Sequence, residues 1–212
     1  MPYRSAHAYM SAARSAPFRA ILIAAVAVAT LALNLIAAPV RADTVPNGSE
    51  PETVSNDALP TVQVDGVVWS QVVVGNTVYA GGNFTTARPA GSAPGTNTST
   101  RTNVLAYNIV TGELINGFAP TFDGQVLGLA ASPDGTRIYA VGEFTKVNGV
   151  NRYRAVALNP SDGSLVNTFT PGFNARARSI VATADAVYSG GSFTNVSGVT
   201  RTRLAAIRPS NG

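Results

Sequence analysis

The stretch "IYAVGEFTKVNGVNRYRAVALNPSDG" at residues 138–163 aligns without a gap on "VYSGGSFTNVSGVTRTRLAAIRPSNG" at residues 187–212. A third copy opens with "VYAGGNFT" at Val78, so Tyr79, Tyr139 and Tyr188 recur at steps of 60 and 49 residues. The longer step has a local cause. Arg152 and Arg201 each follow the phenylalanine of their unit by eight residues, whereas Arg101 follows Phe84 by 17, because residues 87–100 enlarge that loop. A repeat of about 50 residues constrains the chain more than any other feature, because each unit must bury its faces against copies of itself.

Each unit contains four short apolar runs bounded by Gly, Asn, Asp and Pro, and no run has a helical period. In the middle unit these predict strands over 114–118, 126–132, 138–145 and 155–159. "SPDGTR" and "NPSDG" are hairpin turns in which Asp-Gly supplies a positive φ at low cost. Four antiparallel strands per repeat describe an all-β fold of β-propeller type, with a β-solenoid or sandwich as the alternative. The expected units are about 57–112, 113–163 and 164–212. Three blades are too few for a closed propeller, which has four to eight. The expectation is therefore an incomplete propeller belonging to the N-terminal part of a longer protein, or copies that self-associate through open blade faces, two of which could give a six-bladed ring.

"GEFTKVNGVNRYRAVALNPSDGSLVNTFTPGF", residues 142–173, resembles the delta-60 repeat, a tandem propeller-like repeat of bacterial secreted and surface proteins. Gly142, Phe144, Thr145, Asn148, Gly149, Arg152, Ala157, Leu158, Asp162, Gly163, Ser164, Leu165, Phe169 and Pro171 carry the resemblance. The first unit departs from it at the inserted loop, and the third has "RPSNG" in place of the Asp-Gly turn. The resemblance implies a propeller fold and an exported context. It implies no activity and no catalytic residues.

Residues 1–19 are basic, residues 20–40 are uncharged and apolar, and "VRA" at Val40, Arg41 and Ala42 offers a small-residue cleavage site. This reads as a secretory signal peptide over 1–42, the alternative being an uncleaved N-terminal membrane anchor. Residues 43–58 are a polar, Pro- and Ser-containing flexible linker. Export places the mature chain outside the cell or on its surface. The signal segment holds Arg4, Arg14, Arg19 and Arg41, so its removal leaves 11 basic against 11 acidic residues from a total of 15 and 11. A near-neutral mature chain has no excess charge to drive nucleic-acid binding.

There is no cysteine, and the single histidine, His7, lies in the signal segment. Thiol nucleophiles, Ser-His-Asp triads and Cys- or His-ligated metals are thereby excluded from the mature protein. No catalytic residue, metal ligand or cofactor is expected. Gly82, Gly142 and Gly191 should mark a bulge or close backbone approach. Phe84, Phe144 and Phe193 should pack between blades with their tyrosines. Arg101, Arg152 and Arg201 open the same strand of each unit and suggest a structural hydrogen-bonding role. Loops entering the first strand and leaving the second should share one face. That face collects Asn148, Asn151, Arg152, Asn174, Arg176 and Arg178 as candidate ligand-binding residues. The function expected is a secreted, non-catalytic module binding carbohydrate or protein. The alternative is part of a carboxylate-based polysaccharide-degrading enzyme, for which Glu143 and Asp123 are the acids to consider.

Overall fold

The computed structural model describes residues 60–212; the signal peptide expected over 1–42 and the linker expected over 43–58 lie outside the described residues. Three antiparallel sheets follow one another along the chain. The first contains Val67–Val74, Thr77–Asn83 and Val104–Asn108; the second Val126–Ala131, Ile138–Gly142 and Ala155–Leu158; the third Ala177–Ala182, Val187–Gly191 and Leu204–Ile207. In each sheet the middle strand pairs with both others. In the second sheet the hairpin turn falls at Asp134-Gly135, whereas the first sheet turns at Gly75-Asn76 and the third at Thr183–Ala186. Gly135 takes φ +69° between Ser132 and Arg137, whose backbone groups close the hairpin at 2.9 Å.

Two expected strands differ from the structure. The run over 114–118 does not open the second sheet. Gly112, at φ +70°, turns the chain back on itself, so Leu114 bridges Tyr107 at the outer edge of the first sheet. Leu165 bridges Leu158 of the second sheet in the same way. The fourth strand thus joins the sheet before it rather than the one after it, and does so through a single bridge. The strand expected over 138–145 stops at Gly142, because Phe144 turns inward to the core, fully buried. The chain then forms a small ribbon, Lys146–Val147 against Val150–Asn151, repeated in the third unit as Asn195–Val196 against Val199–Thr200. In the first unit Thr86–Arg88 pairs with Gln63–Val64 and Ser99–Thr100, and the inserted loop runs between Thr86–Arg88 and Ser99–Thr100.

The sheets stack face to face. Tyr79, Val104, Ala106 and Phe118 of the first bury against Val126, Leu129, Ile138 and Ala140 of the second. Tyr139, Ala155, Ala157 and Phe169 of the second bury against Ile180, Val187, Ala205 and Ile207 of the third. Tyr79 meets Phe118 edge-on at 5.0 Å, and Tyr139 meets Phe169 at 5.1 Å. The first strands of the three sheets lie side by side in series, and the Leu129 amide donates to Ser70 Oγ at 3.0 Å between two of them. Sheets that stack in sequence order with their first strands adjacent are propeller blades. They are called blades I, II and III below, and the first strand of each its inner strand.

Candidate functional site

Every inner strand is interrupted at the same place. The register slips between Val68 and Ser70, between Val126 and Gly128, and between Ala177 and Ser179, so Trp69, Leu127 and Arg178 are bulged out of the ladder. The cause lies on the facing strand. A Cβ at Gly82 would stand 1.9 Å from the Val67 carbonyl oxygen, at Gly142 2.1 Å from that of Gln125, and at Gly191 2.3 Å from that of Arg176. Only glycine permits this approach, and the neighbouring residue is forced out of register.

The loops on this end of the blades are tied down by one repeated device. Asp65 accepts from the amides of Thr85 and Thr86 at 2.8 and 3.0 Å, and Asp123 from those of Thr145 and Lys146 at 2.7 and 2.8 Å. Asn174 does the same for Thr194 and Asn195, both at 3.0 Å. These latches join the segment entering the inner strand to the segment leaving the middle strand, so both loops share one face. Desolvation pushes the two aspartates up, but the hydrogen bonds outweigh it. Those from Thr85 and Thr86 hold the Asp65 carboxyl well below the usual carboxylate range, and those from Lys146 and Thr145 lower Asp123.

Across that face runs a chain of polar contacts linking all three blades. Trp69 Nε1 donates to Gln125 Oε1 at 3.1 Å. Gln125 Nε2 donates to Glu143 Oε2 at 2.6 Å. Glu143 Oε1 pairs with the Arg176 guanidinium. The indole is about half exposed, 53%. The arrangement presents an aromatic platform on the inner strand of blade I beside an amide, a carboxylate and a guanidinium that stand immediately outside the strand ends of blades II and III.

Residues 133–169 match the DUF5122 β-propeller, a domain of unknown function. The match begins in the turn before the middle strand of blade II and ends at Phe169, against which Tyr139 packs. Two solved structures are similar at lower resemblance: "Structure of U3-55K" (11% identity, 70% of this chain and 55% of that chain, TM-score 0.33) and "Crystal structure of RRP9 WD40 repeats" (11% identity, 71% and 56%, TM-score 0.33). The chain thus spans little more than half the length of either. No curated protein matches it.

The propeller frame sorts the residues singled out in the sequence. Asn148, at φ +51°, exchanges hydrogen bonds with the Thr121 backbone and donates from its side chain to the Gly163 carbonyl at 3.2 Å. Asn174 is a latch. Both are occupied by their own blade. Arg152 donates to the Asn151 carbonyl at 2.9 Å and to Asn167 Oδ1 at 3.1 Å; Arg101 repeats the pattern with Thr100 and Asn116 at 2.7 and 3.1 Å, and Arg201 with Thr200 at 2.9 Å. The Nε atoms of Arg101 and Arg152 are buried without a partner. Asn151 is exposed on the ribbon of blade II. Phe144 and Phe193 are wholly buried and Phe84 nearly so; Phe144 lies edge-on to Phe122 at 4.9 Å and Phe193 to Phe173 at 4.6 Å. Of the six ligand-binding candidates, Arg178 stands at the bulge of the inner strand of blade III, and Arg176 immediately before that strand, within the polar row.

Sequence reasoning missed Trp69 and Gln125 altogether. The available signal was that Trp69 is the only tryptophan in the chain and stands two residues ahead of a polar Gln71 where the other blades have Leu129 and Ile180. Among the described residues no cluster of acids could hold a metal ion. Asp123 has both oxygens engaged by its latch, the second accepting from Thr145 Oγ1 at 2.7 Å.

Proposed function

We propose that the chain is an exported, non-catalytic propeller module that binds carbohydrate across the inner-strand ends of its blades, with Trp69 as the platform. The observation that carries this reading is the half-exposed indole joined through Gln125 and Glu143 to Arg176. A sugar ring offers an apolar C–H face to stack on an aromatic ring and a rim of hydroxyls to hydrogen-bond. Planar polar side chains fixed next to an exposed indole complement both. The apolar, uncharged run over residues 20–40 and the small-residue site after it support export.

Trp69 is the sole tryptophan, so its fluorescence reports on the site directly. Titration with a panel of soluble neutral and acidic polysaccharides is expected to shift the emission for at least one of them. Trp69→Ala should weaken binding of that glycan, measured by calorimetry, by about 30-fold or more, the loss typical of a central aromatic contact. Arg176→Ala, which frees Glu143, should weaken it less. A panel without any binder would sink the carbohydrate reading, and release of new reducing ends would sink the non-catalytic one.

A further inference from the structure

Charge is divided unevenly among the blades. Over residues 60–119 and 120–171, blades I and II hold equal numbers of acidic and basic residues, two of each and four of each. Over residues 172–212, blade III carries Arg176, Arg178, Arg201, Arg203 and Arg208 against Asp185 alone. Asp185 stands in the hairpin turn, at the far end of the inner strand from the bulge. The excess positive charge of the described residues therefore belongs to one blade.

Most guanidiniums are committed within the fold. Arg152, Arg154 and Arg201 donate to backbone carbonyls, and Arg176 pairs with Glu143. The acids of the latch face are committed as well. Asp65 and Asp123 are filled by their latch donors, and Glu143 by Gln125 and Arg176. Arg178 differs from all of these. It is exposed at the bulge, and no carboxylate among the described residues pairs with it.

The three bulges adjoin one another. The Leu129 amide reaches Ser70 Oγ between blades I and II, and a Cβ at Gly128 would stand 3.2 Å from the Arg178 carbonyl oxygen between blades II and III. Trp69, Leu127 and Arg178 thus follow one another across neighbouring inner strands as an aromatic face, an apolar step and an unpaired cation. Trp69 stays half exposed and Leu127 partly exposed although a further blade packs beside each. The bulge is a place that a neighbouring blade does not close.

We propose that the carbohydrate taken by this face is an acidic one, a polysaccharide in which uronic acids stand beside neutral sugars, with a neutral ring on Trp69 and a uronate carboxylate on Arg178. The inference rests on the carbohydrate reading and names its substrate class. A guanidinium offers a carboxylate two parallel N–H donors in one plane, and the charge of blade III draws an anionic chain toward it. A carboxylate on every ring would also meet Glu143, so the rings over blades I and II are neutral. A nucleic acid brings a phosphate at every step and requires several free cations along its path; this row offers one.

The test follows Trp69 fluorescence of the full chain with fragments of hyaluronan and of glucuronoxylan, each in its native form and after reduction of its carboxylates to alcohols. At least one native glycan is expected to bind about tenfold more tightly than its reduced form at low salt, with the advantage shrinking as salt is raised. Arg178→Gln should remove that advantage and leave the affinity for the reduced form unchanged, and Arg178→Lys should restore part of it. Unchanged far-ultraviolet circular dichroism confirms that the variants are folded. Equal binding of native and reduced glycans would overturn the proposal while leaving the carbohydrate reading in place. So would a loss in Arg178→Gln shared equally by both forms, or displacement of the native glycan by a single-stranded oligonucleotide at equal charge. Binding of neither form, of these glycans or of neutral ones, would overturn both.

Discussion

Blades II and III are near copies in sequence and differ in what their surfaces meet. Tyr139 and Tyr188 sit at the same place on the middle strand, yet the first is sealed between sheets and the second is almost half exposed. Small residues follow the same division. Ala155 is buried where Leu204, a larger apolar residue, is open. Burial in a repeat protein is therefore set by the neighbour and not by the unit, and an aromatic that serves as core in one copy serves as surface in the next.

The sharpest way to break this comparison is to truncate both tyrosines. Tyr139→Ala removes a ring packed against Phe169 and should cost about 3–5 kcal/mol, as large-to-small changes in a closed core do. Tyr188→Ala, at a ring 45% exposed, should cost under about 1 kcal/mol. Equilibrium urea unfolding measures both, and equal losses would mean that the blade III face is covered. A second pair tests the inner-strand bulge. Gly142→Ala drives a methyl into the Gln125 carbonyl and should cost about 1–3 kcal/mol or more, whereas at Gly190 the added methyl meets only Ser179 Oγ closely, at 2.8 Å, a side chain that can rotate away. The melting temperature should fall clearly for the first and little for the second.

The smallest expected effect concerns the latches, where blades I and II carry aspartate and blade III asparagine. The folded-state pKa values of Asp65 and Asp123 lie below the usual value of about 3.9. Each latch therefore contributes stability that is fully present above the unfolded pKa and is lost as pH falls through the lower, folded pKa. Blade III has no such dependence. The double change Asp65→Asn with Asp123→Asn should lower stability at neutral pH, because the neutral amide forgoes the charge-assisted part of each latch, and flatten its decline below about pH 4. Thermal melts across the acid range check this, and an unchanged acid slope would place the titration elsewhere.

What could be read from the sequence follows the same line. The hairpin turn at Ser132 to Arg137 carries its own Asp-Gly signal; the turn at Asn159 to Gly163, the close approach at Gly82, Gly142 and Gly191, and the burial of the three phenylalanines recur, and recurrence is visible without coordinates. The partner of the outer strand was not legible, because Leu114 lies next to blade I and blade II alike along the chain and only the left-handed turn at Gly112 decides between them. The ribbons after each middle strand were hidden in segments of two or three residues, too short for any alternation to show. The polar row was missed for a deeper reason. Trp69, Gln125, Glu143 and Arg176 stand at places where the three units disagree, with Trp, Leu and Arg at the bulge, Val, Gln and Arg two residues before it, and Asn, Glu and Ser directly after the paired glycine of the middle strand. A search for what repeats passes over a site built from what does not.

The bulge gives that disagreement room. A side chain released from the ladder at one place in every blade carries no share of the sheet register and little of the inter-blade packing. The residues opposite it, the three glycines, are the ones that must stay. Each blade thereby offers a single rewritable character on an otherwise fixed line, and the three characters here are an indole, an isobutyl group and a guanidinium. Duplication of a unit copies the line, and point changes then spell a different surface without renegotiating the fold.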